Sequence, residues 1–257
     1  MIDIKTPREI EFMRTGGKAL GRTLTELLAI ASVGVSLNDI EARAKKRIQE
    51  AGGTPSFQTV RGYKWATCLC VNEVVVHGIP TEYKLKDGDL LTIDVGLLYQ
   101  GFHTDTAWTK EVKSEKSKVK SQKEVFLQAG QEALRRGIVQ ARAGNRVGHI
   151  SQAIQMCIEG AGYNVVRTLV GHGVGKELHE DPQIPGFLRG TIDETEKLIE
   201  GMTIAVEVIY AMGKSAVIYD NDDGWSIATK DRSLSAVFEH TVEVGPNGPS
   251  ILTSAGD

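Results

Sequence analysis

The chain has 257 residues, of which 41% are hydrophobic and 25% charged, and its formal net charge is −3 at pH 7. This length allows one large domain or two small ones. The negative charge argues against specific nucleic-acid or membrane binding, and the longest apolar runs, such as residues 27–31, are too short to span a bilayer. No signal sequence is evident, and three cysteines, with Cys68 and Cys70 two apart, form no disulfide framework. We therefore expect a cytoplasmic protein.

Capping signals and periodicity predict four helices, at about residues 7–30, 36–52, 121–141 and 147–159. The first begins at a capping box formed by Thr6 and Glu9, with Pro7 at the first helical position, and Ser36 to Asp39 repeats that signal. Segments rich in β-forming residues predict strands at 68–76, 90–98, 102–112, 164–175, 202–209, 215–219 and 236–244. A turn at residues 99–101 would join two of these strands into a hairpin.

An internal repeat appears when the sequence is shifted by 110 residues. It matches Gly34, Ile40, Ile48, Ala51 and Gly52 with Gly144, Ile150, Ile158, Ala161 and Gly162. In the same order, His77-Gly-Ile-Pro is echoed by His179-Glu-Asp-Pro, and Asp94 is echoed by Glu207. Three kinds of match in one order predict a duplicated α/β half.

Carboxylates interrupt several apolar strands. Asp94, Glu207 and Glu239 each lie inside a β-rich apolar run, where a buried charge is costly unless it is paired or bound to metal. Each could instead point outward from an edge strand, since one face of an antiparallel sheet is often solvated. Asp105 lies across the predicted hairpin from Asp94, and a turn near residue 100 places both on the same face.

Four carboxylates and one histidine suit a pair of divalent ions, and this oxygen-rich set favours Mn, Fe, Co or Zn. Two such ions can activate a water as a nucleophile at neutral pH. His172 lies in a run with glycine at positions 171, 173 and 175, which would allow the backbone to pass close to metals and substrate. We assign an ordinary core or surface role to His149 and to His103, which should alternate away from Asp105 or only support it.

The chain resembles the type I methionine aminopeptidases, within the pita-bread metallopeptidase superfamily. The matching stretches span almost the whole chain and are TPREIEFMR, VNEVVVHGIP, LKDGDLLTIDVG, GFHTDTA, GHGVGKELHEDPQIP, GMTIAVEV, DGWSIATKDRSLSA and FEHTVEV. The resemblance implies an α/β (α+β) pita-bread fold, with two pseudosymmetric α/β halves around a central, mainly antiparallel sheet. It also implies one catalytic domain over residues 1–257, with pseudo-repeats at about 1–112 and 113–257.

The same resemblance implies two divalent metal ions and their ligands. Asp105 and Glu239 would bridge both ions, His172 and Glu207 would complete one site, and Asp94 would complete the other.

The resemblance also implies how substrate is handled. His77 and His179 would contact the substrate and stabilise the oxyanion, and Glu207 would shuttle a proton. Positions near the pocket for the substrate side chain correspond to Tyr63, Cys68 and Trp225. The implied reaction removes the N-terminal methionine of nascent proteins whose second residue is small.

Some residues depart from the family pattern. Glu207 is followed by Val208-Ile209 where the family usually has Pro-Met, and Phe57, Val60 and Leu178 replace other pocket residues. These differences affect the expected pocket shape and leave the metal chemistry unchanged.

Two rival readings remain. An Xaa-Pro aminopeptidase or prolidase shares the fold but usually carries an additional N-terminal domain, whereas 76 residues precede His77 here. A non-catalytic peptide-binding relative would tend to lose ligands, and this chain keeps all five. Action on nascent chains implies contact with the ribosome, for which the lysine-rich run 113–123 is one candidate, although a solvated loop is the simpler interpretation. We expect a monomer.

Overall fold

The structure is a computed structural model, and it describes residues 2–114, 122–220 and 223–255. Its helices are α1 (Pro7–Ile30), α2 (Leu37–Glu50), α3 (Gln122–Gln140) and α4 (Val147–Gly160). Its strands are β1 (Thr54–Pro55), β2 (Thr67–Val71), β3 (Val74–Val76), β4 (Leu90–Tyr99), β5 (Phe102–Glu111), β6 (Asn164–Val165), β7 (Val170–Gly173), β8 (Glu180–Pro185), β9 (Thr203–Ala211), β10 (Val217–Tyr219), β11 (Ile227–Thr229), β12 (Ser235–Gly245) and β13 (Gly248–Ile251). Within these residues, no helix is both long and apolar enough to cross a membrane.

The four predicted helices and the β4–β5 hairpin are confirmed. The single strand predicted over residues 68–76 is wrong, because the chain turns at Asn72, whose φ of 58° is incompatible with an extended strand. Two strands result, and they join different sheets. Strands β8 and β11 were not predicted, because both are short and lack a clear alternation of apolar and polar residues.

Reciprocal caps explain where the first two helices begin. The Thr6 hydroxyl accepts a hydrogen bond from the Glu9 N–H at 3.3 Å, and the Glu9 carboxylate accepts one from the Thr6 N–H at 2.8 Å. Ser36 and Asp39 form the same arrangement at the start of α2. Removing such a cap usually costs about 0.5–2 kcal/mol, so these residues define the helix boundaries.

A ten-stranded sheet forms the centre of the molecule. Its main path runs in the order β1-β4-β5-β12-β9-β7-β8, with β2, β13 and β6 attached to β4, β12 and β9. Every pairing in this sheet is antiparallel. A second, three-stranded sheet has the order β10-β11-β3 and is also antiparallel.

The helices cover one face of the large sheet. Ile93 and Val95 of β4 belong to the core cluster that contains residues of α1 and α2. Val206 of β9 and Phe238 of β12 belong to a second cluster with α3 and α4. The Trp108 side chain packs against both clusters. Because strand residues alternate between faces, the residues adjacent in sequence to these core positions face away from the helices.

The helix pair recurs at a spacing of 110 residues. Helices α1 and α3 end at residues 30 and 140, and α2 and α4 span 37–50 and 147–160. The turns between them contain Gly34 and Gly144, whose φ angles of 89° and 90° are in the left-handed region that glycine adopts readily. The sequence repeat therefore corresponds to a repeated helix–turn–helix unit packed on the sheet.

We predict that Gly130→Ala destabilises the protein, because α3 approaches the sheet at this glycine. An added Cβ would lie 2.5 Å from a ring carbon of Phe238 and 2.5 Å from the hydroxyl oxygen of Tyr210. Overpacking of this kind costs about 1–3 kcal/mol, which exceeds the gain of about 1 kcal/mol in helix propensity. Urea unfolding measures the change in the free energy of unfolding.

Gly160→Ala is the matched control. Gly160 ends α4, and among the described residues no atom outside its chain neighbours and its own helix backbone lies within 4 Å of an added Cβ. This substitution should leave stability unchanged or raise it by up to about 1 kcal/mol. Equal stability of the two variants would contradict the close packing of α3 on the sheet.

Candidate metal centre

In the second half of the chain, strand register brings three ligand-type side chains to the face of the sheet opposite the helices. Glu207 of β9 lies directly across from Glu239 of β12. His172 of β7 lies across from Ala205, two residues before Glu207. Residues that are paired across strands, or two apart on one strand, share a face. The three side chains therefore point to the same side.

The first half contributes two carboxylates to that face. Asp94 of β4 and Glu239 of β12 both pair with Ala107 of β5, and Asp105 lies two residues before Ala107. The same rule places Asp94 and Asp105 beside Glu239. The prediction that a turn near residue 100 aligns the two aspartates is confirmed.

The ligand atoms of this group are close together. One atom each from Asp105, His172 and Glu239 lies within 4.8 Å of the other two. A Glu207 carboxylate oxygen is 3.6 Å from Nε2 of His172, and Asp94 and Asp105 share a face on two neighbouring strands. The structure thus brings together all five residues that the sequence indicated as metal ligands.

The His172 ring is oriented for coordination. Its Nδ1 lies 2.8 Å from the Gly173 carbonyl oxygen, which only accepts hydrogen bonds, so Nδ1 carries the proton and Nε2 presents a lone pair. Burial and the neighbouring His179 lower the pKa of His172 to about 4. The ring is therefore neutral at pH 7, as a metal-ligating imidazole must be.

Of the four neighbouring carboxyl groups, those of Asp105 and Glu239 are buried and those of Asp94 and Glu207 are half-buried. Burial, and then the charges of neighbouring carboxylates, raise the pKa of Asp94, Glu207 and Glu239 well above its ordinary value. Burial also raises the pKa of Asp105 to about 7, although a hydrogen bond from the Thr106 N–H opposes the shift.

Two carboxylate oxygens point to what this cluster can bind. Oδ1 of Asp94 and Oε1 of Glu239 are buried and have no hydrogen-bond partner among the described residues. A buried carboxylate oxygen without a hydrogen-bond partner is stabilised by a bound cation or by uptake of a proton. The set of carboxylate oxygens with one imidazole nitrogen fits divalent ions such as Mn, Fe, Co or Zn.

The glycine run 171–175 is explained by close packing. A Cβ at the first glycine would overlap the Ala205 carbonyl oxygen, and one at the second would overlap the Asp181 carbonyl oxygen. At the third, Gly175, a Cβ would overlap the Lys5 side chain. These glycines therefore let His172 and the following loop lie against neighbouring backbone and an N-terminal side chain.

A cavity of about 650 Å³ opens onto the carboxylates. Its wall includes Tyr63, Cys68 and Trp225, and the rings of Tyr63 and Trp225 meet edge to face with centroids 5.0 Å apart. The Tyr63 hydroxyl donates to the Thr67 carbonyl oxygen at 2.8 Å, which leaves the ring as an apolar wall. Four of the five residues that depart from the family pattern also line this cavity, namely Phe57, Val60, Leu178 and Ile209, whereas Val208 lies in the core.

His77 and His179 line the same cavity. The His179 ring centroid is 4.4 Å from that of His172. Burial lowers the pKa of both His77 and His179, and the charge of His179 lowers that of His77 further. Both rings are therefore neutral at pH 7 and retain one N–H to donate.

His103 differs from its predicted position. It lies two residues before Asp105 on β5, so it shares that face of the sheet instead of alternating away from it. Its Nδ1 is 2.9 Å from the Ser56 hydroxyl. Its role here is structural support, which was the alternative that the sequence left open. His149 instead accepts a hydrogen bond from the Arg146 N–H at the start of α4.

Some cavity residues were not identified from the sequence. They are Val76, Thr168, Leu169, Val170, Glu180, Asp181 and Gln183. Val76 could have been found, because it is adjacent to His77. The others lie on or beside the short strands β7 and β8, where the sequence carries no periodic signal.

Comparisons with known proteins agree with this site. The profile of metallopeptidase family M24 matches residues 11–246. The chain is 40% identical to the methionine aminopeptidase of Clostridium perfringens over 253 residues, which cover 98% of this chain and 99% of that protein.

Solved structures extend the comparison. The methionine aminopeptidase of Thermotoga maritima superposes with a TM-score of 0.93 at 40% identity and covers 99% of this chain and 100% of that one. The prolidase of Pyrococcus furiosus has a TM-score of 0.77 at 23% identity, and the match covers 66% of that chain, so it shows the shared fold alone. The chain belongs to metallopeptidase family M24.

Proposed function

We propose that the protein is a metal-dependent methionine aminopeptidase that removes an N-terminal methionine when the second residue is small. The observation that carries the proposal is the set of five ligand-type side chains on one sheet face, below an apolar cavity. The full-length similarity to methionine aminopeptidases supports the same activity.

Two divalent ions would be held by the carboxylate cluster. Asp105 and Glu239 would be shared between the ions, His172 and Glu207 would help to hold one, and Asp94 would help to hold the other. The ions, when bound, would polarise the scissile carbonyl and activate a water. The five ligands supply four negative charges when fully ionised, which balance the four positive charges of two divalent ions.

Side chains around the cluster would handle protons and the oxyanion. Glu207 lines the cavity beside His172, so it would be placed to take a proton from the attacking water and give it to the departing amine. His77 and His179, both neutral, would donate hydrogen bonds to the substrate and to the developing oxyanion.

The apolar wall would receive the methionine side chain. Tyr63, Cys68 and Trp225 offer aromatic and sulfur contacts, and an unbranched thioether packs well against such surfaces. The second residue of the substrate would lie toward the other side of the carboxylates, where Ile209 lines the cavity.

The rival readings receive less support. Solved prolidases and dipeptidases are 19–23% identical to this chain, which covers 66% or less of each of them, so they support a shared fold only. A non-catalytic peptide-binding protein would not need a full set of ligands, and all five are present.

We also propose that residues 1–257 act as one catalytic domain with pseudo-repeats at about 1–112 and 113–257. The repeated helix pair and the contribution of both halves to one site support this division.

The substrates would be the N-terminal peptides of nascent proteins. The protein would act on them as a monomer in the cytoplasm, near the ribosome. Within the candidate ribosome contact 113–123, residues 115–121 lie outside the described residues.

We predict that activity requires a divalent metal. Chelation should abolish hydrolysis of a Met-Ala peptide, and addition of Mn, Fe or Co should restore it. Full activity in a sample shown to be metal-free by mass spectrometry would contradict the proposal.

Metal should also change how stability depends on pH. Buried carboxyls with raised pKa values stabilise the metal-free protein below their unfolded pKa of about 4, and this contribution is lost as pH rises through about 7, the pKa of Asp105. Metal binds the deprotonated carboxylates. The rise in melting temperature on adding Mn should therefore be larger at pH 8 than at pH 5, and an equal rise would contradict this.

We predict that two variants lose activity for different reasons. Glu239→Ala removes a bridging ligand, so bound metal and activity should be lost together. His179→Ala should keep its metal while kcat falls by about 10²–10³, because one oxyanion donor is missing. His149→Ala, whose ring lies away from the site, serves as the control. Loss of metal from His179→Ala would identify this histidine as a ligand instead.

A peptide panel tests specificity. Met-Ala and Met-Gly peptides should be cut, whereas Met-Leu and Met-Ile peptides should be cut at least about 10²-fold more slowly, because bulk at the second residue displaces the scissile carbonyl. The measurement is kcat/KM for each peptide. Preference for proline in second place, whatever the first residue, would support the prolidase reading.

A further inference from the structure

Lys5 is a buried charge beside the site that the reaction described above does not use. The residue is 4% exposed. Its ammonium group forms an ion pair with the Glu180 carboxylate and donates to the Asp3 carbonyl oxygen at 3.2 Å. Lysine is almost never buried to this extent unless it is paired. The burial of Lys5 therefore depends on its ion pair with Glu180.

Glu180 directly follows His179 and organises the loop that carries it. One carboxylate oxygen of Glu180 accepts a hydrogen bond from the Glu177 N–H at 3.1 Å, and the other receives the Lys5 ammonium. This carboxylate thus closes the loop 177–180 on itself. The loop places two side chains in the cavity wall, Leu178 and His179.

The backbone leaves a space that the lysine fills. A Cβ at Gly175 would lie 2.7 Å from the Lys5 ammonium nitrogen. The Lys5 N–H donates to the Gly201 carbonyl oxygen at 2.9 Å, and the Gly175 carbonyl accepts from the His103 N–H at 2.6 Å. Lys5 is therefore anchored by its own backbone and reaches Glu180 past a position where only glycine fits.

We propose that Lys5 is a positioning residue for His179, acting through Glu180. This inference rests on the proposed aminopeptidase function and on the role of His179 within it. Without Lys5, the Glu180 carboxylate, whose side chain is 11% exposed, keeps its hydrogen bond from the Glu177 N–H but loses its ion pair with Lys5, which favours turning toward water or taking up a proton. Either change removes the Lys5 contact between the loop and the N-terminal segment and moves the His179 ring relative to the carboxylate cluster.

The test compares Lys5→Met with the wild type on a Met-Ala peptide. Lys5→Met keeps a side chain of similar length without the charge. We expect kcat to fall by about tenfold to hundredfold, as for a small misplacement of a reacting group, while KM rises less than about fivefold. Bound metal should be unchanged. A phosphonate analogue of methionine, which mimics the tetrahedral state, should lose affinity in parallel with kcat, and methionine itself should not.

The double variant Lys5→Met with Glu180→Gln tests whether Lys5 affects kcat through Glu180. It removes the unpaired carboxylate, so its kcat should exceed that of Lys5→Met alone. Lys176→Met is the matched control, because Lys176 links the same two segments through exposed ion pairs, at 3.4 Å to Asp3 and 3.5 Å to Glu9. Exposed pairs contribute little, so its kcat should stay within about twofold of the wild type.

The outcomes are distinguishable. Unchanged kcat per folded molecule in Lys5→Met, or loss of thermal stability alone, overturns the positioning role. Equal losses in Lys5→Met and Lys176→Met also overturn it, because they would reflect a general loosening of the N-terminal segment. Failure of the wild type to cut any methionyl peptide would instead overturn the proposed function.

Discussion

The confinement of four carboxylates to one buried face of an antiparallel sheet is the constraint on which this structure depends. Side by side and removed from water, these groups resist ionisation, and their pKa values rise. Such a cluster persists only because the opposite face of the same strands is strongly stabilised. The residues between the acids, such as Ile93, Val206 and Phe238, are fully buried against the helices. One face of each strand thus supplies the packing that holds the other face together.

The repeat explains how the acids come to face one another. Each half supplies a helix pair and a strand with an acidic residue at its centre, and the two strands lie in one sheet. Asp94 and Glu207 are therefore equivalent positions of the two halves. The halves are not identical, however, because the first adds Asp105 on β5, whereas the second adds Glu239 on β12 and His172 on β7. Because the two halves add different side chains to the same framework, the cluster contains both carboxylates and an imidazole. Such a mixed set would suit two ions that do not have identical ligands.

Much of this arrangement could be predicted from the sequence, because period-two alternation determines which residues share a face. The Asp94–Asp105 alignment required only the position of one turn. The prediction was wrong for His103, which lies on the same sheet face as Asp105 because the two residues are two apart on one strand. It was also wrong for residues 68–76, where a positive φ at Asn72 divides the predicted strand in two. The long-range contacts could not be predicted. Nothing local in the sequence indicates that Lys5 reaches Glu180, because that contact depends on how distant segments pack.

The two histidines at the cavity wall lie on a different kind of structural element from the candidate metal ligands. The five candidate ligands lie on strands, whose geometry is rigid, whereas His77 and His179 lie on loops that need separate support. His77 has a φ of 57°, a left-handed conformation that is uncommon for a side-chain-bearing residue. The next residue, Gly78, holds it through two hydrogen bonds, from its N–H to Cys70 Sγ at 3.3 Å and from the Leu69 N–H to its carbonyl oxygen at 2.7 Å. A backbone in a sparsely populated region persists only where its surroundings enforce it. The Lys5–Glu180 pair would do for the second histidine what these two hydrogen bonds do for the first, so both histidines would be held in place before substrate binds.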